Sequence, residues 1–241
     1  MLSHPRDARI TFDPGPHTYM VDGVEYTSVT TVIAHFFPKF ESERIARGCA
    51  GKGKYVGMTA EEVEAQWKRT ADEAAEKGTL FHQTVEDFLT DGTTTDNPDF
   101  KVWRHWYETA GKKMGETSRL EWTLFDEEYK VAGTLDALFQ SPKGPYFLMD
   151  WKRKRKMSRK AYRDGDNGHG VLRHVPNCDF ARAALQLNTY RYMLRRHYDI
   201  QVKAMGLVQV HPESGLNTHR VGALEDDVTV MLNAWKNREI P

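Results

Sequence analysis

Two acids and an amine in the middle of the chain are the residues best placed to do chemistry. Asp136 lies within the apolar run Val131–Phe139, and Asp150 and Lys152 close a second run that begins at Tyr146. Between them Ser141-Pro142-Lys143-Gly144-Pro145 favours a turn, so the stretch reads as a β-hairpin. Residues two apart share one face of a strand, which sets Asp150 beside Lys152. A carboxylate inside an apolar strand is costly unless it is hydrogen-bonded or neutralised. A salt bridge to a basic neighbour would do this, and so would a divalent cation shared by both acids. Magnesium suits such a set, because it takes a few carboxylates together with water and phosphate oxygens. The chemistry would be hydrolysis of a phosphate ester, since a bound metal acidifies water and polarises the phosphoryl group.

Other side chains fall at telling intervals. His82 and Glu86 are four apart and would share a helix face, a spacing that serves joint metal binding and a plain helical hydrogen-bonded pair equally. Glu121 sits on the strand before that of Asp136, next to Arg119. Gln186 and Tyr190 are also one helical turn apart. From Lys152 to Arg163 there are eight basic residues and no acid (Lys152, Arg153, Lys154, Arg155, Lys156, Arg159, Lys160, Arg163). Such a run is either a solvated face or a track for a polyanion. Trp103, Trp106 and Tyr107 could stack on unpaired bases, but their helical spacing favours core packing.

Asp136 followed by Asp150-Trp151-Lys152 resembles the PD-(D/E)xK nuclease signature, with Leu135 where proline is usual. Gly78-Thr79-Leu80-Phe81-His82, with Glu86, resembles the helix that supplies a metal-binding histidine in the RecB/Cas4-like branch. Gln186-Leu187-Asn188-Thr189-Tyr190 resembles the Q-x-x-x-Y motif of that branch. The resemblance covers residues 78 to 211. It implies an α/β fold with a restriction-endonuclease-like core, a mixed central sheet flanked by helices. It also implies one or two Mg²⁺ or Mn²⁺ ions held by His82, Asp136, Asp150 and the Trp151 carbonyl, with Glu86 and Glu121 as further candidates. Lys152 would orient or activate the attacking water and stabilise charge at the phosphate. Gln186 and Tyr190 would line the substrate path or hold Lys152, and Arg153, Lys154, Arg155, Lys156, Arg159 and Lys160 would meet the nucleic-acid backbone.

Cluster-bearing members of the branch carry four cysteines. Cys49 and Cys178 are the only two here, which rules out an iron–sulfur cluster and suits a reducing compartment. Ser28-Val29-Thr30-Thr31-Val32 and the small size resemble stand-alone exonucleases, of the mitochondrial genome-maintenance and virus-encoded recombination kinds. The resemblance thus implies an intracellular, soluble enzyme cutting single-stranded DNA ends in replication, repair or recombination. A helicase, a single-strand-binding protein or an annealing protein would be its partner. A structure- or sequence-specific endonuclease, and a non-catalytic nucleic-acid-binding module on the same fold, are the alternatives.

The elements that must position these residues are legible in outline. At 241 residues, 39% hydrophobic and 28% charged, the chain can bury a sizeable core. Zero net charge gives no compositional argument for a nucleic-acid partner, and no apolar run approaches the roughly 20 residues of a membrane span. Residues 1–58 read as an N-terminal elaboration packed on the core and 59–241 as the core with a closing helix. Short strands are expected at 9–12, 17–21 and 24–26. Helices are expected from Ser28 or Thr30 to Phe37, at 41–47, from Thr59 to Lys77, at 79–89 after a break at Gly78, and at 99–113. Strands at 118–125, 129–139 and 146–151 should be antiparallel. A long loop over 155–177, expected to order on binding, precedes a helix at 179–197, a strand at 202–210 and a helix at 226–236. Gly48 to Lys54 matches G-x4-G-K, but Tyr55 stands where a P-loop needs serine or threonine. His169 and His174 lack the cysteines of a zinc site.

Overall fold

The computed structural model describes residues 3–142, 144–163 and 165–239. Lys143 of the expected turn, Asp164 of the long loop and both chain ends lie outside the described residues. Three short strands come first, β1 (Ile10–Asp13), β2 (Thr18–Val21) and β3 (Val24–Ser28). Asp22 and Gly23 join β2 to β3 with φ of 49° and 79°, and a two-residue hairpin turn of the primed kind needs both angles positive. Helix α1 (Val29–His35) starts at once, its first turn capped by the Ser28 hydroxyl, which accepts from the Thr31 N–H. Next come α2 (Ser42–Cys49), α3 (Ala60–Asp91) and α4 (Pro98–Thr109). Strands β4 (Glu116–Asp126), β5 (Val131–Gln140) and β6 (Tyr146–Arg153) follow. Helix α5 (Asp179–His197), strands β7 (Val202–His211) and β8 (Gly215–Val221) and helix α6 (Glu225–Lys236) complete the chain.

All eight strands form one mixed sheet in the order β1-β2-β3-β5-β6-β7-β8, with β4 on the other edge of β5. The β3/β5 and β6/β7 pairs are parallel. The β4/β5 and β5/β6 pairs are antiparallel, as the sequence predicts. One face packs on α1, α5 and α6 through residues such as Val32, Phe36, Leu187, Tyr190 and Met231. The other packs on α4 and the C-terminal half of α3 through Phe81, Val85, Trp103, Trp106 and Trp151. Trp103 and Trp106 are therefore core residues rather than stacking platforms, and Tyr107 packs against the same cluster. Among the described residues no helix is long and apolar enough to cross a membrane.

Four expectations change. Helix α3 runs unbroken through Gly78, and its boundaries are set instead by the Thr59/Glu62 capping box and by Gly92 at φ 82°. A mid-helix glycine costs only about 1 kcal/mol relative to alanine, less than a packed helix supplies. The aromatic helix stops at Thr109, and a 3-10 turn covers Gly111–Met114. Strand β8 pairs with β7 at the sheet edge, and its exposed polar residues carry too little apolar alternation to announce it. Among the described residues, the long segment after β6 holds a 3-10 turn at Gly170–Leu172 and an isolated antiparallel bridge between Asn167 and Pro176. It is already anchored, because Met157, Leu172 and Val175 are buried in the α1/α5 core and the His169 N–H donates to the Phe36 carbonyl at 2.7 Å.

Trp103 is fully buried among Phe100, Phe88, Tyr107 and Trp151. Trp103→Ala should cost about 3–5 kcal/mol of stability in a denaturant titration. A cost well below that would mean the aromatic helix is not part of the core.

Candidate active site

Strand β5 changes partner halfway along one edge. Its start, Val131 and Ala132, pairs with Thr27 and Ser28 of β3, and its end, Ala137–Gln140, pairs with Tyr146–Met149 of β6. Gly133–Asp136 face a gap on that edge. Beyond Met149, Asp150–Arg153 of β6 leave β5 and pair only with β7. The two strands of the hairpin thus fork where Asp136 and Asp150 stand. Asp136 Oδ2 fills part of the fork by accepting the Trp151 N–H at 2.6 Å, a donor that an unforked sheet would pair with backbone.

On the other edge β4 and β5 switch faces together. Leu120 packs on the α3/α4 side while Trp122 and Leu124 pack on the α1/α5 side. Leu135 lies on the α1/α5 side while Ala137 and Phe139 lie on the α3/α4 side. The inversions fall at Glu121 and Asp136, between the paired positions Leu120↔Ala137 and Trp122↔Leu135. Glu121 has φ 38°, a region that L-residues avoid, and this backbone turn re-aims its carboxylate.

His82 reaches the fork from α3. Its Nδ1 lies 3.4 Å from Glu121 Oε1 and 3.7 Å from Asp136 Oδ2, and its Nε2 lies 3.1 Å from the Trp151 carbonyl oxygen. One ligating atom from each of His82, Glu121 and Asp136 can be chosen so that all lie within 4.8 Å of one another. Asp150 stands beside this trio and faces Lys152. Lys152 Nζ donates to Asp150 Oδ1 at 3.0 Å and to Gln186 Oε1 at 3.3 Å, and Gln186 Nε2 donates to Tyr190 OH at 3.1 Å. Tyr190 can come this close because Gly133 has no side chain: a Cβ there would lie 2.7–2.8 Å from the phenol ring and hydroxyl.

Burial would depress the His82 imidazole, but the Asp136 and Glu121 carboxylates outweigh it and hold the pKa up at about 9. Burial pushes Asp136 above the usual carboxylate range, with His82 opposing the rise. Asp150 is raised to about 6 by burial and by repulsion from Asp136, against the pull of Lys152. For Lys152 burial alone would favour the neutral amine, yet Asp150 and Asp136 keep its pKa above the ordinary lysine value. Three carboxylates (Glu121, Asp136, Asp150) against one imidazolium and one ammonium leave a formal excess of one negative charge at the fork. Asp150 Oδ2 sharpens the point, for it is buried and lacks an aligned hydrogen bond although it lies 2.9 Å from the ammonium. Several carboxylate oxygens and one imidazole nitrogen around a shared point fit a hard divalent cation such as Mg²⁺ or Mn²⁺.

The remaining sequence candidates separate. Glu86 receives the Gln83 amide at 3.4 Å and no hydrogen bond joins it to His82 or the acids. Arg153 alternates away from Lys152 to the α4 side and pairs with the buried Asp99 at 2.8 Å. Lys154 pairs with Asp179, and Arg155 reaches Glu213 at 3.4 Å. Arg159 lies 3.7 Å over the Phe180 ring, while Lys156 and Lys160 are exposed. Sequence reasoning missed Arg182 and Asp179, which line a cavity with Lys152 and Gln186. Their spacing from Gln186 along α5, about one and two turns, is the signal that could have found them.

No family model matches this chain, and no curated protein matches it. Among solved structures, the crystal structure of SSO0001 is similar at 13% identity and TM-score 0.40, over 88% of this chain and 74% of that one. A protein from Eubacterium rectale described as a "Putative exonuclease" is similar at 10% identity and TM-score 0.36, over 90% of this chain and 83% of that one. Likenesses this distant bear on neither family nor activity.

The shifted groups make metal-free stability depend on pH in a definite direction. A folded pKa of about 9 against the ordinary 6.5 means that His82 stabilises fully below about 6.5 and loses that contribution as pH rises through about 9. The metal-free protein should therefore melt at a lower temperature at pH 9.5 than at pH 6.5, and His82→Gln should flatten that difference. Mn²⁺ should raise the melting temperature more at pH 8 than at pH 6, because it must displace the imidazole proton. Equal stabilisation at both pH values would contradict the assignment of His82 as a ligand.

Proposed function

We propose that the chain is a metal-dependent nuclease with a PD-(D/E)xK core that hydrolyses phosphodiester bonds in DNA, as an exonuclease acting at single-stranded ends. The observation that carries the reading is the meeting of His82, Asp136, Asp150, the Trp151 carbonyl and Lys152 at one fork in the sheet, although His82 and Lys152 are 70 positions apart in the chain. These are the residues that the signature would demand, and Glu121 joins them.

His82, Glu121, Asp136, Asp150 and the Trp151 carbonyl would hold the ion or ions. When bound, a divalent metal acidifies water and withdraws charge from the phosphoryl group. The protein's own share is positional. Lys152, tethered by Asp150 and Gln186, presents an ammonium that stays charged beside the acids. It can donate to the attacking water or to a non-bridging phosphate oxygen and so stabilise charge that builds up in the transition state. Gln186, fixed in turn by Tyr190, gives Lys152 a second anchor beside Asp150. Hydrolysis joins the water oxygen to phosphorus, breaks one P–O ester bond and delivers a proton to the leaving oxygen.

End-labelled single- and double-stranded DNA incubated with Mg²⁺, Mn²⁺ or chelator tests the reading, with cutting of single strands expected only when metal is present. Asp150→Asn should lower the cleavage rate by at least about a hundredfold, the scale of losing one preorganised electrostatic group, while single-strand binding persists. Cutting that survives in chelator, or in Asp150→Asn, would remove the proposal. Cleavage of a circular single strand would replace the exonuclease by an endonuclease.

Gln186→Ala removes the Lys152 tether and should slow cleavage by about tenfold, the scale of a hydrogen bond worth roughly 1.4 kcal/mol. An unchanged rate would show that Lys152 needs no tether.

A further inference from the structure

Three cavities that share lining residues in succession lie along α1 and the N-terminal half of α5. The first, about 250 Å³, contains Glu121, Asp136, Gly133 and Gln186 and is walled at its far end by Phe12, His17 and Tyr19. The second, about 240 Å³, shares Thr30 and Gln186 with the first and contains Lys152, Lys154 and Arg182. The third, about 1200 Å³, shares Asp179 and Arg182 with the second and adds Lys39, Arg163, Phe40 and Tyr162. Glu121 and Asp136 thus line the cavity at one end of this row, and Lys152 lines the next. On one side lies a run with room for several nucleotides, with cations along it and two exposed aromatic rings, Phe40 and Tyr162. On the other side lies a space close to the size of a single nucleotide, and then a wall.

The wall is the β1/β2 hairpin, held by ring packing and side-chain bonds. Phe12 stacks on Tyr19 with ring centres 4.5 Å apart, and His17 stands edge-on to Phe12 at 5.1 Å. Tyr19 OH meets Thr134 Oγ1 at 3.1 Å, next to Gly133 in the unpaired stretch of β5. Arg9 ties the hairpin to Glu127 at 2.8 Å and to Asp22 at 2.6 Å. Arg6 bonds Glu127 and the Phe125 carbonyl. The His17 ring is exposed at the tip, on a backbone with φ 56°. Flat rings on a fixed support suit the face of an unpaired base.

Resting on the nuclease reading, we propose that this hairpin is a terminal wall. It seats the last nucleotide of a single strand against Phe12 and His17, so that the phosphate reaching the acids is the one nearest the end. The enzyme then releases mononucleotides, and the remaining strand lies toward Lys154, Arg182 and the Phe40/Tyr162 rings. The exonuclease mode would be set by this obstruction, and the chemistry of the fork would not itself distinguish ends from interior bonds.

Two readouts test it. Binding of thymidine 5′-monophosphate in Mg²⁺, which requires no turnover, should weaken by about tenfold in Phe12→Ala/His17→Ala, the scale of a lost base-stacking contact. On uniformly labelled single-stranded DNA the wild type should release mononucleotides. The double variant should release di- and longer products and begin to cut circular single strands. His17→Ala alone, at an exposed position that folding does not need, should shift both readouts the same way to a smaller degree. Long products from the wild type, or variants with unchanged product length and unchanged thymidine 5′-monophosphate binding, overturn the wall while leaving the nuclease standing. If no DNA is hydrolysed under any metal condition, the nuclease reading falls and the wall falls with it.

Discussion

Everything at the candidate site depends on a sheet that comes apart in a controlled way. Where β5 and β6 diverge, backbone groups lose their partners and buried acids take the space. Burying one unpaired polar group costs roughly 2–7 kcal/mol, and ionised carboxylates cost more. The chain meets this with the Asp136–Trp151 N–H bond, the His82 imidazolium and the Lys152 ammonium. The compensation is incomplete, since burial and repulsion from Asp136 still hold Asp150 near pKa 6. Under the nuclease proposal, a divalent cation would complete this set of charges.

The sheet and its helices supply the rigidity that such a site needs. Two cores grip the fork from opposite faces. Trp151 packs between Trp103 and Trp106 on one side, while Leu148, two residues before Asp150, packs on the α1/α5 side. The alternation of β6 therefore fixes which neighbours do chemistry: Asp150 and Lys152 turn to the groove, Trp151 and Arg153 to the α4 core. The basic run after Asp150 is for that reason not one track. Arg153 is consumed by buried Asp99, whereas Lys154 pairs with Asp179 yet stays exposed along the groove with the other solvated members.

How much of this the sequence disclosed follows from the range of each signal. Asp150 and Lys152 were legible because they are two apart in one strand, and a period of two needs no tertiary knowledge. The α5 pair Gln186 and Tyr190 was legible for the same reason at helical spacing. That His82 meets Asp136 came only through the family resemblance, because no local pattern links residues so distant. Glu121 stood as one candidate among several, and its promotion depends on a backbone angle of 38° that glutamate does not advertise. The face switch at Glu121 and Asp136 was hidden, since Leu120 and Trp122 are both apolar and read as a single buried face. Gly78 looked like a break because its cost is local, whereas the packing and capping that carry α3 through it lie elsewhere. The groove with its hairpin wall is a property of three segments meeting and has no signature in any one of them.

Anomalous diffraction from crystals of the protein soaked in Mn²⁺ tests the central claim most directly. The account predicts a metal peak in the fork between β5 and β6, ligated by carboxylate oxygens of Asp136 and Glu121 or Asp150, with His82 and the Trp151 carbonyl around it. A Mn²⁺ bound only elsewhere, with the fork still closed by the His82 and Lys152 ion pairs, would contradict it.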